Sequence, residues 1–111
     1  MISGAHVMIF TQDETADRAF LRDVLEIPCI DSGGGWLIFR LPPAELGVHS
    51  GDNGFHQIYF ICDDADEFVG AMAEKGVATD PISEEGWGRS TGVQLPGSGK
   101  LGIYQATHAR P

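Results

Sequence analysis

His6-Val-Met-Ile-Phe-Thr-Gln-Asp13 and Gln57-Ile-Tyr-Phe-Ile-Cys-Asp-Asp64 follow one pattern twice, 51 positions apart. Each is a β-rich run of aliphatic and aromatic residues that ends in an acidic turn. Gly35-Trp36 returns as Gly86-Trp87 at the same spacing of 51. Leu41-Pro42 returns as Leu95-Pro96, and Leu46-Gly47-Val48-His49 as Leu101-Gly102-Ile103-Tyr104, 54 and 55 positions on. Loop insertions absorb that drift, and chance similarity of short strands does not preserve the order of four landmarks. The chain reads as two homologous halves, 1–52 and 53–111, within a single domain.

Each half has the same coarse plan. A strand, Ala5–Thr11 or His56–Cys62, leads through an acidic turn into a helix over Ala16–Leu25 or Ala65–Lys75. Phe20 and Val24 in the first helix, and Phe68 and Met72 in the second, recur at helical spacing. Asp13-Glu14 and Asp63-Asp64 suit the positive helix end as caps, and Gly76 is a C-terminal stop. Three shorter strands follow, punctuated by Gly33-Gly34-Gly35, Pro42-Pro43, Gly86 and Pro96-Gly97. The result is βαβββ, twice.

Composition bounds the function. With 111 residues, 42% of them apolar, the chain is long enough to bury a core and is not disordered in bulk. Its net charge of −9 opposes phosphate backbones and anionic lipid, which argues against nucleic-acid and membrane-surface roles. No apolar run approaches the roughly 18 residues of a membrane span, and residues 1–9 lack a basic leader region, so a soluble cytoplasmic protein is expected. Cys29 and Cys62 have no metal-ligand spacing and read as small buried hydrophobes. The glycine clusters Gly33–Gly35 and Gly97-Ser98-Gly99 lack the strand–loop–helix context of a phosphate loop and read as turns.

Strand parity separates two faces. Val7, Ile9, Ile58, Phe60, Leu46, Val48, Leu101 and Ile103 form an aliphatic set expected under the helices. The alternate set holds His6, Met8, Gln57, Tyr59, Gly47, Gly102, His49 and Tyr104. Polar, aromatic and glycine residues on one sheet face suggest a concave ligand surface rather than a second core.

This layout resembles the vicinal oxygen chelate superfamily, which includes glyoxalase I, extradiol dioxygenases, and fosfomycin- and bleomycin-resistance proteins. The resemblance rests on the histidine strand at His6, the turn at Asp13 and the helix Phe20-Leu-Arg-Asp-Val-Leu25. The second half adds Asp63-Asp64-Ala-Asp, Lys75-Gly76-Val77, Gly86-Trp87-Gly88 and Leu95-Pro96-Gly97-Ser-Gly99. Glu26 departs from the usual glycine after Val-Leu, and Leu95 from the usual aspartate of the last turn. The implied fold is α+β, with two βαβββ modules in tandem, an open eight-stranded cup and the helices on its outer face. A homodimer is implied as well.

Metal-binding members of that superfamily place ligands on the first and last strand of each module. By position His6 and Gln57 fill the first-strand sites, while the last-strand sites fall on Gly47 and Gly102, which offer no side chain. One His and one Gln without a carboxylate hold a divalent ion weakly. A set of His6, His49 and Glu45 remains open as a two-histidine, one-carboxylate site, provided residues displaced along a strand converge. His56 has the opposite parity to Gln57, and a one-residue slip would exchange them. Trp36 and Trp87 either line the cup for a flat ligand or pack at a sheet edge. Arg40 either meets a polar ligand group or lies on the surface, and His108 reads as tail.

Three functions stay open. The first is small-molecule binding without a metal, through His6, Met8, Trp36, Arg40, Gly47, His49, Gln57, Tyr59, Trp87, Gly102 and Tyr104. The second is a lyase, isomerase or dioxygenase dependent on Zn, Ni, Mn or Fe and acting on vicinal oxygens. The third is a metal-free acid–base enzyme using His49, Tyr104 or His6.

Overall fold

The computed structural model describes residue 3, residues 6–48, residue 50 and residues 56–111. The first helix, α1, covers Glu14–Ala19 and continues into a wider π-helical turn at Phe20–Val24. Strands β1 (Cys29–Asp31) and β2 (Leu37–Phe39) follow. Then come β3 (Tyr59–Cys62), α2 (Ala65–Glu74), β4 (Ser83–Glu85), β5 (Gly88–Leu95) and β6 (Gly99–Ala106).

Both helices start where the acidic turns place them. Asp13 accepts from the Ala16 N–H at 3.0 Å, and Asp64 accepts from the Glu67 N–H at 3.1 Å. Each bond satisfies a donor that the first turn leaves orphaned. The ends differ. α2 stops on Gly76 at φ +71°, with Gly76 N–H bonded to Ala73 O and Val77 N–H to Met72 O. That double closure is a Schellman motif, and glycine adopts its left-handed residue without a Cβ penalty. The first helix ends on Glu26 at φ +58°, where the resemblance expected glycine. Lys75 holds this turn by donating to the Val24 carbonyl at 2.6 Å and pairing with Glu26 at 3.4 Å.

The strands form two sheets among the described residues. β1 and β2 make an antiparallel hairpin, and the larger sheet has the order β3-β6-β5-β4, with β3 parallel to β6. The turns have the expected chemistry. Gly33, Gly34 and Gly35 all take positive φ between β1 and β2, and only Gly86-Trp87 separate the paired ends of β4 and β5.

β6 is hydrogen-bonded on both edges, and its inner face carries the core. Leu101 and Ile103, with Val93 and Leu95 of β5 and Met72 of α2, are buried together. Ile9, Ile58 and Phe60 pack against that cluster, as the aliphatic parity set predicts, and Phe20 and Val24 of the first helix join them. Leu95, where the resemblance led to an expectation of aspartate, lies inside this core, where a carboxylate would lose its water.

The eight-stranded cup is not what the described residues form. Residues 6–11 and 44–48 have no ladder, and Phe10, Leu46 and Val48 are 85%, 92% and 96% exposed. Pro42 and Pro43, just before the second of these segments, remove two successive backbone donors from any ladder there. Leu46 and Val48 therefore depart from the expectation that they lie under a helix. Cys29 and Cys62 are only half-buried rather than fully so, and burial still pushes the Cys62 thiol up.

Candidate functional site

The register of β3, β6 and β5 builds an aromatic face on the side opposite the core. Tyr59 lies opposite Gly102, Gly102 opposite Gly92, and Tyr104 opposite Ser90. Trp87, in the tight β4–β5 turn, completes the group. Ring centroids are 6.0 Å apart for Tyr59–Trp87, 5.8 Å for Tyr59–Tyr104 and 5.0 Å for Trp87–Tyr104, all edge to face. That is the favoured arrangement of aromatic quadrupoles. Two glycines make room for it. A Cβ at Gly102 would collide with the Tyr59 ring, and one at Gly88 would lie 2.9 Å from Tyr104 Cδ2.

A cavity of about 480 Å3 reaches this group at Tyr59, and is lined by Gln57, Tyr59, Ser90, Lys100 and Gly102 among others. Lys100 is paired there with Asp80 at 2.7 Å. His56 lines the same cavity, since strict alternation begins only with β3 at Tyr59.

His6, Met8, Trp36 and Arg40 line a different cavity of about 560 Å3, between the N-terminal segment, the first helix and β2. The Arg18 guanidinium sits 5.1 Å above the Trp36 ring and covers one side of it. Ile9 and Ile58 line both cavities. The candidates expected on a single surface are thus brought together in two groups.

The remaining candidates stand apart. Gly47 has open space where a Cβ would be, and His49 lies outside the described residues. Both Glu45 oxygens accept from Arg110, at 2.6 and 3.0 Å, and this hydrogen-bonded pairing holds the Glu45 carboxyl below its ordinary value despite partial desolvation. The four-ligand pattern of the resemblance does not fit these donors: His6 and Gln57 line different cavities, Gly47 and Gly102 give nothing, and Glu45 is engaged. Among the described residues no three His, Cys, Asp or Glu side chains gather as a metal site.

Three residues escaped the sequence reading. His108, read as tail, has Nε2 3.0 Å from the Tyr104 hydroxyl. Arg110 reaches across to Glu45. Asp17 is buried, and accepts from the Gly97 N–H at 2.7 Å and the Ser98 hydroxyl at 2.6 Å. Burial alone would raise the Asp17 carboxyl, but hydrogen bonds involving Ser98, Thr11 and Gly97 outweigh it and hold it below its ordinary value. Gly97 is the contact point, since a Cβ there would lie 2.7 Å from the Asp13 nitrogen. The only signal for the His108 contact was its spacing of four from Tyr104, and the Asp17 and Arg110 contacts span 80 and 65 residues.

A scan against protein-family profiles finds no match, and a search of curated proteins finds none. Solved structures do match. An antibiotic-binding protein from Streptomyces sp. CB03234 superposes with a TM-score of 0.68 at 19% identity, over 96% of this chain and 100% of that one. A lactoylglutathione lyase from Agrobacterium tumefaciens gives 0.65 at 16% identity, over 92% and 94%. A fosfomycin-resistance protein from Listeria monocytogenes gives 0.62 at 22%, over 96% of each chain. The resemblance to the vicinal oxygen chelate superfamily therefore holds at the level of the fold.

Proposed function

We propose that this protein binds a flat, ring-bearing small molecule on the open face of β3, β6 and β5, without a chelated metal ion. The observation that carries this reading is the Tyr59 ring lying over Gly102, where a ligand-bearing side chain would otherwise project. A carboxylate there would have to displace the ring. Tyr59, Trp87 and Tyr104 instead offer edges and faces on which a planar compound can stack. Gln57 and Ser90 add neutral polar groups at the cavity wall, and the Asp80–Lys100 pair adds no net charge. A chain charge of −9 favours neutral or cationic ligands over anionic ones.

The antibiotic-binding and fosfomycin-resistance proteins that share the fold support a small-molecule ligand as the class. The reading retains a two-module organisation, 1–52 and 53–111, and a homodimer.

Metal analysis of untagged protein, reloaded with Mn, Fe, Co, Ni and Zn, tests the metal-free part. No ion should be retained near stoichiometry. A stoichiometric ion that His6→Ala abolishes would overturn the reading in favour of a metal-dependent lyase or dioxygenase. Thermal-shift screening with planar aromatic compounds tests the ligand class. Stabilisation should grow with ligand concentration and disappear in Trp87→Leu.

A further inference from the structure

We propose that Thr107–Arg110 is a strap whose His108 fixes the Tyr104 hydroxyl as a hydrogen-bond acceptor, so that the aromatic face selects ring compounds carrying a donor. This rests on the reading of that face as a ligand site and adds the ligand chemistry it prefers.

The strap is tied at both ends. Thr107 donates its N–H to the Trp87 carbonyl at 3.2 Å and its hydroxyl to the Gly86 carbonyl at 3.5 Å. Arg110 holds Glu45 through two bonds and donates to the Pro43 carbonyl at 3.4 Å. Between these ties the His108 ring lies 5.9 Å from the Tyr104 ring, centroid to centroid.

Two contacts decide the direction of the bond. His108 Nδ1 is 2.9 Å from the Ala109 carbonyl oxygen. A carbonyl only accepts, so Nδ1 carries the hydrogen. In the neutral imidazole Nε2 is then bare, and the Tyr104 hydroxyl 3.0 Å away must donate to it. A phenol has one proton. With that proton committed to His108, only the oxygen lone pair of Tyr104 is left for a ligand. A ring N–H, hydroxyl or ammonium meets an acceptor there, whereas a ring nitrogen or carbonyl meets lone pair against lone pair. Tyr104 stands where this matters, because its ladder partner Ser90 and its ring neighbour Tyr59 both line the cavity.

The first test needs no ligand. Long-range 15N–1H correlation of the free protein at mildly alkaline pH should show the Nδ1–H tautomer of His108, perturbed by Tyr104→Phe. An Nε2–H tautomer overturns the proposal. The second test compares indole, whose N–H donates, with isoquinoline, whose nitrogen only accepts, by calorimetry at the same pH. The native protein should favour indole about tenfold, the value of one net hydrogen bond. His108→Phe keeps a ring but removes the acceptor, and should bring the two within about twofold by freeing Tyr104 to donate. Arg110→Ala, which unties the strap, should shift the ratio the same way. Equal affinities in the native protein with the Nδ1–H tautomer present overturn the selectivity. No binding of either probe, with Tyr59 and Trp87 resonances unmoved, overturns the ligand-site reading beneath it.

Discussion

Residues 6–48 and 56–111 share a sequence pattern, yet they do not share a structure. The later stretch forms β3-α2-β4-β5-β6 with a continuous ladder, and every buried apolar side chain among the described residues belongs to it. The earlier stretch forms a capped helix and a short hairpin. It contributes half-buried side chains such as Ile9, Phe20 and Val24 to a core built by the other. The comparison teaches that hydrophobic alternation is necessary for a strand but does not supply its partner. β6 has β3 on one edge and β5 on the other, whereas Leu46-Gly47-Val48 has no ladder on either.

The largest predicted effect contrasts matching positions in the two stretches. Ile103→Ala, at a side chain 2% exposed, should cost about 2–5 kcal/mol in urea unfolding. Val48→Ala, 96% exposed, should stay within about 0.5 kcal/mol. A cost for Val48 comparable to that for Ile103 would break the comparison, because it would mean that Val48 is covered in solution.

Asp17 joins the two stretches, so Asp17→Ala should cost about 2–3 kcal/mol by leaving the Gly97 N–H and Ser98 hydroxyl without their acceptor. The sign with pH follows from its lowered carboxyl. A group whose pKa is lower folded than unfolded stabilises the fold above the unfolded value, about pH 4, and loses that contribution as pH falls through the folded one. Asp17→Asn should therefore flatten the acid limb of the stability profile below about pH 4. An unchanged limb would show that another carboxylate dominates it.

Gly97→Ala probes the same junction from the other side. Its new Cβ would crowd the Asp13 backbone, which should cost about 1–2 kcal/mol and raise amide exchange at Gln12, whose N–H bonds to Gly97 O. The smallest effect sharpens the contrast between helix ends. Glu26→Gly should raise stability by about 0.5 kcal/mol, since a left-handed Glu carries strain that Gly76 avoids, less the loss of its ion pair with Lys75. A destabilised variant would mean that the ion pair outweighs the strain.

Much of this contrast was legible in the residues. The caps at Asp13 and Asp64, the stop at Gly76, the glycine turns and the inward set Phe60, Leu101 and Ile103 all appear where the sequence puts them. The candidate site was legible in part. Gln57, Tyr59 and Gly102 line one cavity and Trp87 and Tyr104 contact the Tyr59 ring, while His6, Met8, Trp36 and Arg40 line another. Gly102 was read as a missing ligand, and its first physical role is to admit the Tyr59 ring.

What the sequence determined by itself is local: where helices begin and end, which glycines turn, and which side chains of a strand share a face. Those features depend on a residue's own dihedral preferences and on partners within four or five positions. Tertiary structure alone decided which strands found ladders, that Asp17 would be buried against a turn 80 residues away, and that Arg110 would engage Glu45 across 65. Such contacts depend on register and loop closure, and both are set by the whole chain closing on one core rather than by any segment of it.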